Sequence, residues 1–357
     1  MNLREAVLVT AFGLVPLVSA TAQSPSREPG TTALTPVRGM TISCQTNGRE
    51  WGTPEFGEEV RLLSEMGVNW VSIHPYARIN NDGRVTWREI DPANPPAHIA
   101  GPVAAAHEHG VAILIKPHLA YWGSEFSWRG EIDFEGEDLE RFRRTYTAWI
   151  HSMVEVVSDA DAFCVGTELD RFLGREHDSF WRELIEGVRA RTDANLTYAA
   201  NWTDFEDVRF WPLLDTIGVQ GYFPLTSSRS AGTKTEQLVD GWGSWIRRLR
   251  VLHRRHGKPV VLAELGYDEH LGAAHEPWKG RPWRERREGG PSQAGQDLQL
   301  RCLDSGMKVL QAEREWLRGA FLWKWFVGPA GRADFPLNKA PVRSLIQSHW
   351  GSEAQAQ

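Results

Sequence analysis

The chain has few cysteines, no surplus of positive charge and a single long apolar stretch. Its 357 residues include Cys44, Cys164 and Cys302, so at least one thiol is unpaired. Cys164 lies within an apolar run, where a free cysteine behaves as a small buried hydrophobe, and we do not expect a Cys44–Cys302 bridge. The formal net charge of −6 argues against nucleic acid as a partner.

The apolar stretch lies at the N-terminus and predicts an export signal. Arg4 precedes Ala6–Ala20, and Ala20-Thr21-Ala22 then forms an A-x-A cleavage site. The stretch is too short to span a bilayer, and no further apolar span follows it. We therefore expect an exported protein, periplasmic or secreted, that has no membrane contact after signal cleavage.

Composition divides the chain into four parts. Residues 1–22 form the predicted signal peptide, and residues 23–36, rich in Ser, Pro, Thr and Gly, form a disordered linker. Residues 37–350 form one domain because no second linker follows, and residues 351–357 form a tail. One domain of this size is normal for an α/β barrel. We expect the protein to be a monomer.

Within the domain, eight short apolar runs alternate with segments of helical periodicity. This alternation predicts a closed parallel (β/α)8 barrel, the TIM barrel. One helical stripe is formed by Phe142, Tyr146, Trp149 and Met153. The segment between the fifth and sixth runs is short, and the helix predicted there has the least support. The predicted strands are Val37–Cys44, Asn69–His74, Val111–Lys116, Ala162–Glu168, Leu196–Asn201, Thr216–Tyr222, Pro259–Glu264 and Ala320–Trp325.

Three connections are much longer than the others. Polar loops follow the second predicted strand (Pro75–Pro95), the third (Pro117–Gly136) and the seventh (Gly266–Gly295). All three leave from the C-terminal ends of strands, and loops carry function on a rigid scaffold. Their location on one face predicts a cleft for an extended substrate.

Two glutamates, Glu168 and Glu264, end the fourth and seventh predicted strands. The C-terminal ends of barrel strands are where (β/α)8 enzymes keep their chemistry. Two carboxylates on different strands form the acid and nucleophile pair that breaks glycosidic bonds. Each glutamate could instead cap a helix or pair with an arginine, but the pair in this setting favours the hydrolase.

Aromatic and polar side chains gather at the same ends. Of the 17 tryptophans, several lie at or beyond strand ends, where they can stack on a sugar or pack a loop onto the barrel. These are Trp51, Trp122, Trp128, Trp202, Trp278, Trp283, Trp323 and Trp325. Other strand ends carry groups that can hydrogen-bond hydroxyls, namely His74, Tyr76, Lys116, His118, Asn201 and Tyr222.

The histidines leave a metal-dependent hydrolase as a weaker alternative. Zinc barrels commonly carry H-x-H on the first strand or H-E-x-x-H on a helix. The first strand here ends in Ser43-Cys44-Gln45, and neither motif is present. His107-Glu108-His109 is interpreted as helix surface, since residues i and i+2 point to different sides. We expect no metal and no other cofactor.

The motifs at the strand ends resemble glycoside hydrolase family 113. They are Val165-Gly166-Thr167-Glu168-Leu169, Ala263-Glu264-Leu265-Gly266-Tyr267, Trp323-Lys324-Trp325, Ile73-His74-Pro75-Tyr76 and Lys116-Pro117-His118. The seventh loop adds Gly272-Ala273-Ala274 and Pro277-Trp278. The resemblance runs from about Gly39 to Val327.

The resemblance implies a retaining endo-β-1,4-mannanase that acts on a polysaccharide or oligosaccharide. It implies that Glu168 is the acid/base and Glu264 the nucleophile, that Tyr222 hydrogen-bonds the nucleophile, and that Trp323 floors the subsite of the attacked sugar. The predicted substrate-binding residues are His74, Tyr76, Lys116, His118, Trp122, Thr167, Asn201, Trp202, Tyr222, Trp278 and Trp323.

One departure concerns the sugar at the cleaved position. Most members of the wider clan place asparagine before the acid/base, where it binds the sugar 2-hydroxyl, and Thr167 stands here instead. Thr167 or a neighbour such as Asn201 must then bind that hydroxyl. The alternatives are a xylanase, a glucanase, an exo-acting mannosidase, or a carbohydrate-binding barrel without turnover.

Overall fold

The computed structural model describes residues 36–88, 90–282 and 290–351 of the chain. Its barrel strands are β1 (Val37–Ser43), β2 (Trp70–Ile73), β5 (Ala112–Ile115), β7 (Ala162–Thr167), β8 (Asn195–Ala200), β9 (Thr216–Gln220), β10 (Val260–Leu265) and β11 (Leu317–Phe326). Each strand pairs in parallel with the next, and β11 pairs with β1 to close the barrel. The predicted (β/α)8 TIM barrel is confirmed.

Seven α-helices lie among the described residues. They are α1 (Pro54–Glu65), α2 (Ala97–Glu108), α3 (Gly136–Val156), α4 (Asp178–Arg189), α5 (Thr235–His256), α6 (Gln293–Ala312) and α7 (Ala340–Ile346). The stripe predicted on α3 is buried from Phe142 to Met153. Between β8 and β9 only a 3-10 helix, Trp211–Leu213, is present, because the connection is too short for an α-helix.

Two of the long loops contain strands that the sequence analysis missed. These are β3 (Tyr76–Ile79), β4 (Val85–Thr86) and β6 (His118–Ala120), which form a small sheet in the order β4-β3-β6. Strands of two to four residues are too short to produce an alternating pattern. Within the sheet Tyr76 pairs with His118, so the loops after β2 and β5 are joined above the barrel.

Apolar side chains pack in two separate layers. The larger layer lies between the strands and the helices and includes Phe56, Trp149, Trp242 and Leu303. The smaller cluster draws one or two residues from most barrel strands, namely Val37, Trp70, Leu114, Ala162, Cys164, Ala199, Val261, Ala263 and Phe321. The buried position predicted for Cys164 is therefore confirmed, and all three cysteines have free thiols.

The last strand begins earlier than its predicted start at Ala320. Gly319 lies inside β11 with φ of 138°, a backbone conformation that favours glycine. A Cβ atom at this position would lie 1.9 Å from the carbonyl oxygen of Val37 on β1. The glycine therefore permits the close approach of the strands that seal the barrel.

Several sequence predictions lie outside the described residues. These are the signal peptide, the linker apart from Pro36, the tail after Gly351, and Trp283. Within the described part of the chain, no helix combines the length and hydropathy that crossing a membrane requires.

Candidate active site

Glu264 is fixed at both carboxylate oxygens near the C-terminal end of β10, and only 3% of the residue is exposed. Lys116, which follows β5, forms an ion pair with Oε1 and also donates to the carbonyl oxygen of Ala263 at 3.2 Å. The Tyr222 hydroxyl donates to Oε2 at 2.6 Å, the contact that the family resemblance implies. Burial, and then the Glu264 charge, hold the pKa of Tyr222 well above its ordinary value, so this hydroxyl remains a donor.

The backbone behind Glu264 requires glycine on the neighbouring strand. Gly221, just after β9, donates its N–H to the Glu264 carbonyl oxygen at 2.6 Å. A Cβ atom on Gly221 would lie 2.8 Å from that same oxygen. A larger residue would therefore displace the segment that carries Glu264 or Tyr222.

Glu168 directly follows β7 in an unusual backbone conformation. Its φ is 51°, in the left-handed region that non-glycine residues rarely adopt, at a cost of about 1–3 kcal/mol. The next strand stabilises this turn, because Glu168 N–H donates to Ala199 O at 2.9 Å and Leu169 N–H donates to the Tyr198 hydroxyl at 2.8 Å. Strain of this kind occurs most often at functional sites, where it aims a side chain.

The Glu168 carboxylate pairs with Arg129, a residue of the loop after β6. Arg129 Nη1 lies 2.7 Å from Glu168 Oε2, and the two side chains are 13% and 14% exposed. Arg129 Nε also donates to Leu119 O at 3.3 Å. Burial raises the pKa of Glu168, the Arg129 charge opposes that rise, and the Glu264 charge adds to it. Glu168 therefore holds its proton at higher pH than an exposed glutamate does.

Three rings lie beside the carboxylates. The ring centroids of His74 and His118 are 5.1 Å apart and nearly parallel, and that of Trp323 is 5.2 Å from His74 and 6.2 Å from His118. Burial first, and then the nearby Lys and Arg charges, hold the pKa of both histidines well below the ordinary value. Both rings are therefore neutral near pH 7, and His118 Nε2 lies 3.6 Å from Glu264 Oε1.

A second group of predicted residues lies beyond Glu168, on and after β8. Asn201 Nδ2 donates to Asp170 Oδ2 at 3.0 Å. The Trp202 ring stacks on Trp278 of the seventh loop, with centroids 5.2 Å apart and an angle of 19° between the planes. Trp278 is 43% exposed, so the pair offers one flat face to solvent.

Thr167 is buried, and its hydroxyl donates to the carbonyl oxygen of Pro117 at 3.3 Å. That hydrogen bond turns the hydroxyl proton toward the loop after β5. Thr167 thus fixes the loop that carries His118, while its capacity to donate to a ligand is already used.

The remaining tryptophans separate into exposed and buried members. Trp122 is 55% exposed and its ring centroid lies 5.3 Å from that of Tyr76, so both face the cleft on the side of the small sheet. Trp51 and Trp325, which the sequence analysis also considered as sugar platforms, are 2% and 0% exposed. They belong to the core, and the Trp325 indole donates to Glu59 on α1 at 2.8 Å.

The histidines do not form a metal centre within the described part of the chain. No group of three or more His, Cys, Asp or Glu side chains is close enough there to hold an ion. His107 lies at the surface near the end of α2, as predicted, and its Nε2 is 2.9 Å from Asp161 Oδ2.

The sequence analysis missed two polar residues of the site, Arg129 and Asp170. Arg129 lies in one of the long loops at the C-terminal ends of the strands, and this location was the available signal. The sequence does not show, however, in which direction a loop side chain points. Asp170 lies two residues beyond Glu168. Burial raises the pKa of Asp170 to about 7. The hydrogen bond from Asn201 lowers this pKa, and the charges of Asp204 and Glu168 raise it further.

The comparisons with known proteins agree with this geometry. The sequence profile described as Glycoside Hydrolase Family 113 matches residues 40–334. The structure is similar to that of the family 113 β-mannanase AaManA from Alicyclobacillus acidocaldarius, with 25% identity, a TM-score of 0.72, and coverage of 90% of this chain and 98% of that one. A second family 113 β-1,4-mannanase structure matches at 20% identity and a TM-score of 0.72, over 89% of this chain and 100% of that one.

A more distant fold relative is a family 5 mannosidase from Rhizomucor miehei. It matches at 10% identity and a TM-score of 0.58, covering 90% of this chain and 94% of that one. No curated protein sequence matches the chain significantly.

A (β/α)8 barrel with two glutamates at the C-terminal ends of its strands, and this family profile over most of its length, is a glycoside hydrolase. The profile covers the barrel from β1 to beyond β11. The chain belongs to glycoside hydrolase family 113.

Proposed function

We propose that the protein is a retaining endo-β-1,4-mannanase in which Glu264 is the nucleophile and Glu168 the acid/base. The observation that carries this proposal is the difference between the two carboxylates. Glu264 is held by Lys116 and Tyr222, whereas the pKa of Glu168 is raised. Two carboxyl groups with different environments and different roles are what double displacement at a glycosidic bond requires.

In the first step Glu264 attacks the anomeric carbon and Glu168 donates its proton to the leaving oxygen. The bond between sugar and leaving group breaks, and a covalent glycosyl-enzyme forms at Glu264. Lys116 and Tyr222 keep the carboxylate in one orientation, so little reorganisation is needed for attack. The raised pKa of Glu168 favours the protonated form that this step needs.

In the second step Glu168 acts as a base. It takes a proton from water, and the water oxygen attacks the anomeric carbon and releases Glu264. Arg129 keeps Glu168 ionised between the two steps, because its guanidinium stabilises the carboxylate that forms when the proton leaves in the first step. Arg129 is therefore a positioning residue that acts through Glu168.

The substrate assignment is supported by the aromatic surfaces and by the similarity to a family 113 β-mannanase at 25% identity. Trp323 beside Glu264 and the Trp202–Trp278 pair beyond Glu168 give flat apolar faces on both sides of the bond to be cleaved. The C–H face of a hexose packs on such rings. We assign the leaving sugars to the Trp202–Trp278 side, since Glu168 protonates the leaving oxygen.

We assign contact with the sugar 2-hydroxyl to Asn201 and not to Thr167. The Thr167 proton is already donated to Pro117 O. The side-chain Nδ2 of Asn201 donates to Asp170, and no described residue donates to the side-chain oxygen Oδ1 of Asn201. That oxygen is therefore free to accept from a sugar hydroxyl.

The experiment is reducing-sugar release from β-1,4-mannan, glucomannan, xylan and cellulose by the wild type, Glu168→Gln and Glu264→Ala. We expect release from the mannans by the wild type and at least a 1,000-fold loss in a Glu264→Ala protein that still folds. Glu168→Gln should keep more activity on a 4-nitrophenyl glycoside, whose leaving group needs no proton. Activity on xylan or cellulose alone would contradict the assignment of mannan as the substrate. Binding to a glycan without sugar release from any of them would indicate a carbohydrate-binding protein and not an enzyme.

We also propose that the protein is exported and acts as a monomer. Export is supported by Arg4, the apolar stretch Ala6–Ala20 and the A-x-A site that ends at Ala22. N-terminal sequencing of protein recovered from outside the cytoplasm should begin at Gln23. A chain that retains Met1 would contradict export by this signal.

A further inference from the structure

A cavity of about 380 Å³ opens beside the catalytic cleft, on the side of the small sheet. Such a volume lies within the roughly 300–1,000 Å³ of small-molecule sites. Tyr76 and Trp122 line it, and the Tyr76 ring centroid is 5.2 Å from His74 and 5.8 Å from His118. The cavity is therefore continuous with the ring cluster beside Glu264, at the end of the cleft away from Trp278.

The charged residues that line this cavity within the described part of the chain are all basic. Arg49, Arg78 and Arg88 contribute to its wall, and none of its described lining residues is an aspartate or glutamate. His98 also lines it, but burial, and then the charges of Arg88 and Arg49, lower the pKa of this ring. The three guanidinium groups therefore supply the charge, in a protein whose formal net charge is −6.

Among the described residues, no acidic side chain forms an ion pair with Arg49 or Arg88. Glu50, the residue after Arg49, instead accepts from the backbone N–H groups of Gln45 and Thr46 and from the Thr46 hydroxyl. Within the described residues, Arg78 Nη1 donates only to the Trp122 carbonyl oxygen at 3.3 Å. Guanidinium groups left together in this way can make bidentate hydrogen bonds to a carboxylate.

The same cavity offers a surface for a sugar ring. Trp122 is 55% exposed, and Trp87, half-buried and next to Arg88 in the chain, also lines the cavity. A flat apolar face beside a forked cation fits a pyranose that carries an anionic group better than it fits a free inorganic anion. Electrostatic attraction in a cleft also concentrates anionic ligands at its mouth.

We propose that this cavity is a subsite for a carboxylate-bearing sugar, so that the enzyme accepts acidic β-1,4-linked glycans as well as neutral ones. The inference rests on the proposed function, because it places the uronate on the glycone side of the bond that Glu168 and Glu264 cleave. Arg49 and Arg88 bind the carboxylate, and Trp122 packs on the sugar face.

The test compares two probes of equal length, mannotetraose and β-1,4-linked tetramannuronate. Their binding to the Glu168→Gln protein is measured by calorimetry, so hydrolysis does not interfere. We expect tetramannuronate to bind more tightly, and its affinity to fall at least fivefold between 50 and 300 mM NaCl while that of mannotetraose changes less than twofold. Equal affinities for the two probes, or equal responses to salt, would overturn the proposal.

Variants locate the effect. Arg49→Gln with Arg88→Gln should lower the ratio of the two affinities, acidic to neutral, by about tenfold. The control is Arg84→Gln. Arg84 is an exposed arginine of the loop after β2, like Arg88, but it does not line the cavity, and its Nε lies 3.7 Å from Asp82 Oδ2. An unchanged ratio in the double variant, or the same fall in the control, would overturn the assignment. Absence of hydrolysis by the wild type on any glycan would contradict the proposed function and leave the binding test valid.

Discussion

Glu168 and Glu264 lie at the same rim of the barrel, near the C-terminal ends of β7 and β10, but differ in their partners. Glu264 lies between Lys116 and Tyr222, whereas Glu168 has one cationic partner and a strained backbone. Burial raises the pKa of Glu168, and the charge of Arg129 lowers it. The balance between these two effects sets the pH range in which Glu168 keeps its proton.

Removal of Arg129 should therefore move the pH profile. Without the guanidinium, the pKa of Glu168 rises, so its protonated form persists to higher pH. We expect the alkaline limb of kcat/KM in Arg129→Ala to shift upward by about 1–3 pH units. Arg129→Lys keeps the charge and should stay close to the wild type. An alkaline limb that does not move in Arg129→Ala, or that moves to lower pH, would contradict this role.

Asp170 is expected to couple stability to pH. Its pKa is raised to about 7 in the folded protein, chiefly by burial, so its contribution to stability is complete below about pH 4 and is lost as the pH rises through about 7. Asp170→Asn keeps an acceptor for Asn201 and removes the titration. Between pH 4 and 8, the free energy of unfolding should fall by about 2–4 kcal/mol less in this variant than in the wild type. Urea denaturation at the two pH values measures this, and parallel curves would rule out the coupling.

At the scale of secondary-structure elements, β8 supports the turn that aims Glu168. The Tyr198 hydroxyl accepts the Leu169 N–H one residue beyond Glu168, while the Tyr146 hydroxyl on α3 donates to Val165 O earlier in β7 at 2.9 Å. Both tyrosines are buried, and each bonds to the backbone of the segment from Val165 to Leu169. They differ in their distance along the chain from the catalytic residue.

This pair gives a matched test of positioning. Tyr198→Phe and Tyr146→Phe each leave a buried backbone group without its partner and should each cost about 1–3 kcal/mol in the free energy of unfolding. Only Tyr198→Phe should also lower kcat, because it loosens the left-handed turn at Glu168. Denaturation together with initial rates separates the two effects. Equal losses of kcat in both variants would mean that β8 has no special role in aiming Glu168.

Elements also show where sequence reasoning succeeded and where it could not. Sequence reasoning predicted that Glu168, Glu264 and Tyr222 lie together, because each ends an apolar run and a parallel barrel brings such ends to one rim. The contact between Tyr222 and Glu264 agrees with this placement. The small sheet β4-β3-β6 left no signal, since its strands are two to four residues long. Arg129 could not be placed either, because its aim depends on the loop that the sheet helps to hold.

At the scale of the whole molecule, the contact that closes the barrel and the residues of the candidate site lie at opposite rims. Closure between β1 and β11 depends on the close contact at Gly319, while the long loops on the opposite rim carry Trp122, Arg129 and Trp278. The cleft between these loops has a basic, aromatic cavity at one end and the Trp202–Trp278 pair at the other. Substrate choice therefore depends on the loops and the reaction on the strand ends.

The proposed double displacement depends most on Glu264 as the nucleophile. A 2-deoxy-2-fluoro glycosyl fluoride of the sugar that the glycan panel identifies would trap the covalent intermediate. Its 2-fluorine slows both steps, while the fluoride leaving group keeps the first step fast enough for the intermediate to accumulate. Peptide mass spectrometry of the inactivated protein should find one added sugar, on the peptide that contains Glu264. Inactivation with the sugar on another residue, or turnover of the reagent with no covalent adduct and an inverted product, would contradict the assignment.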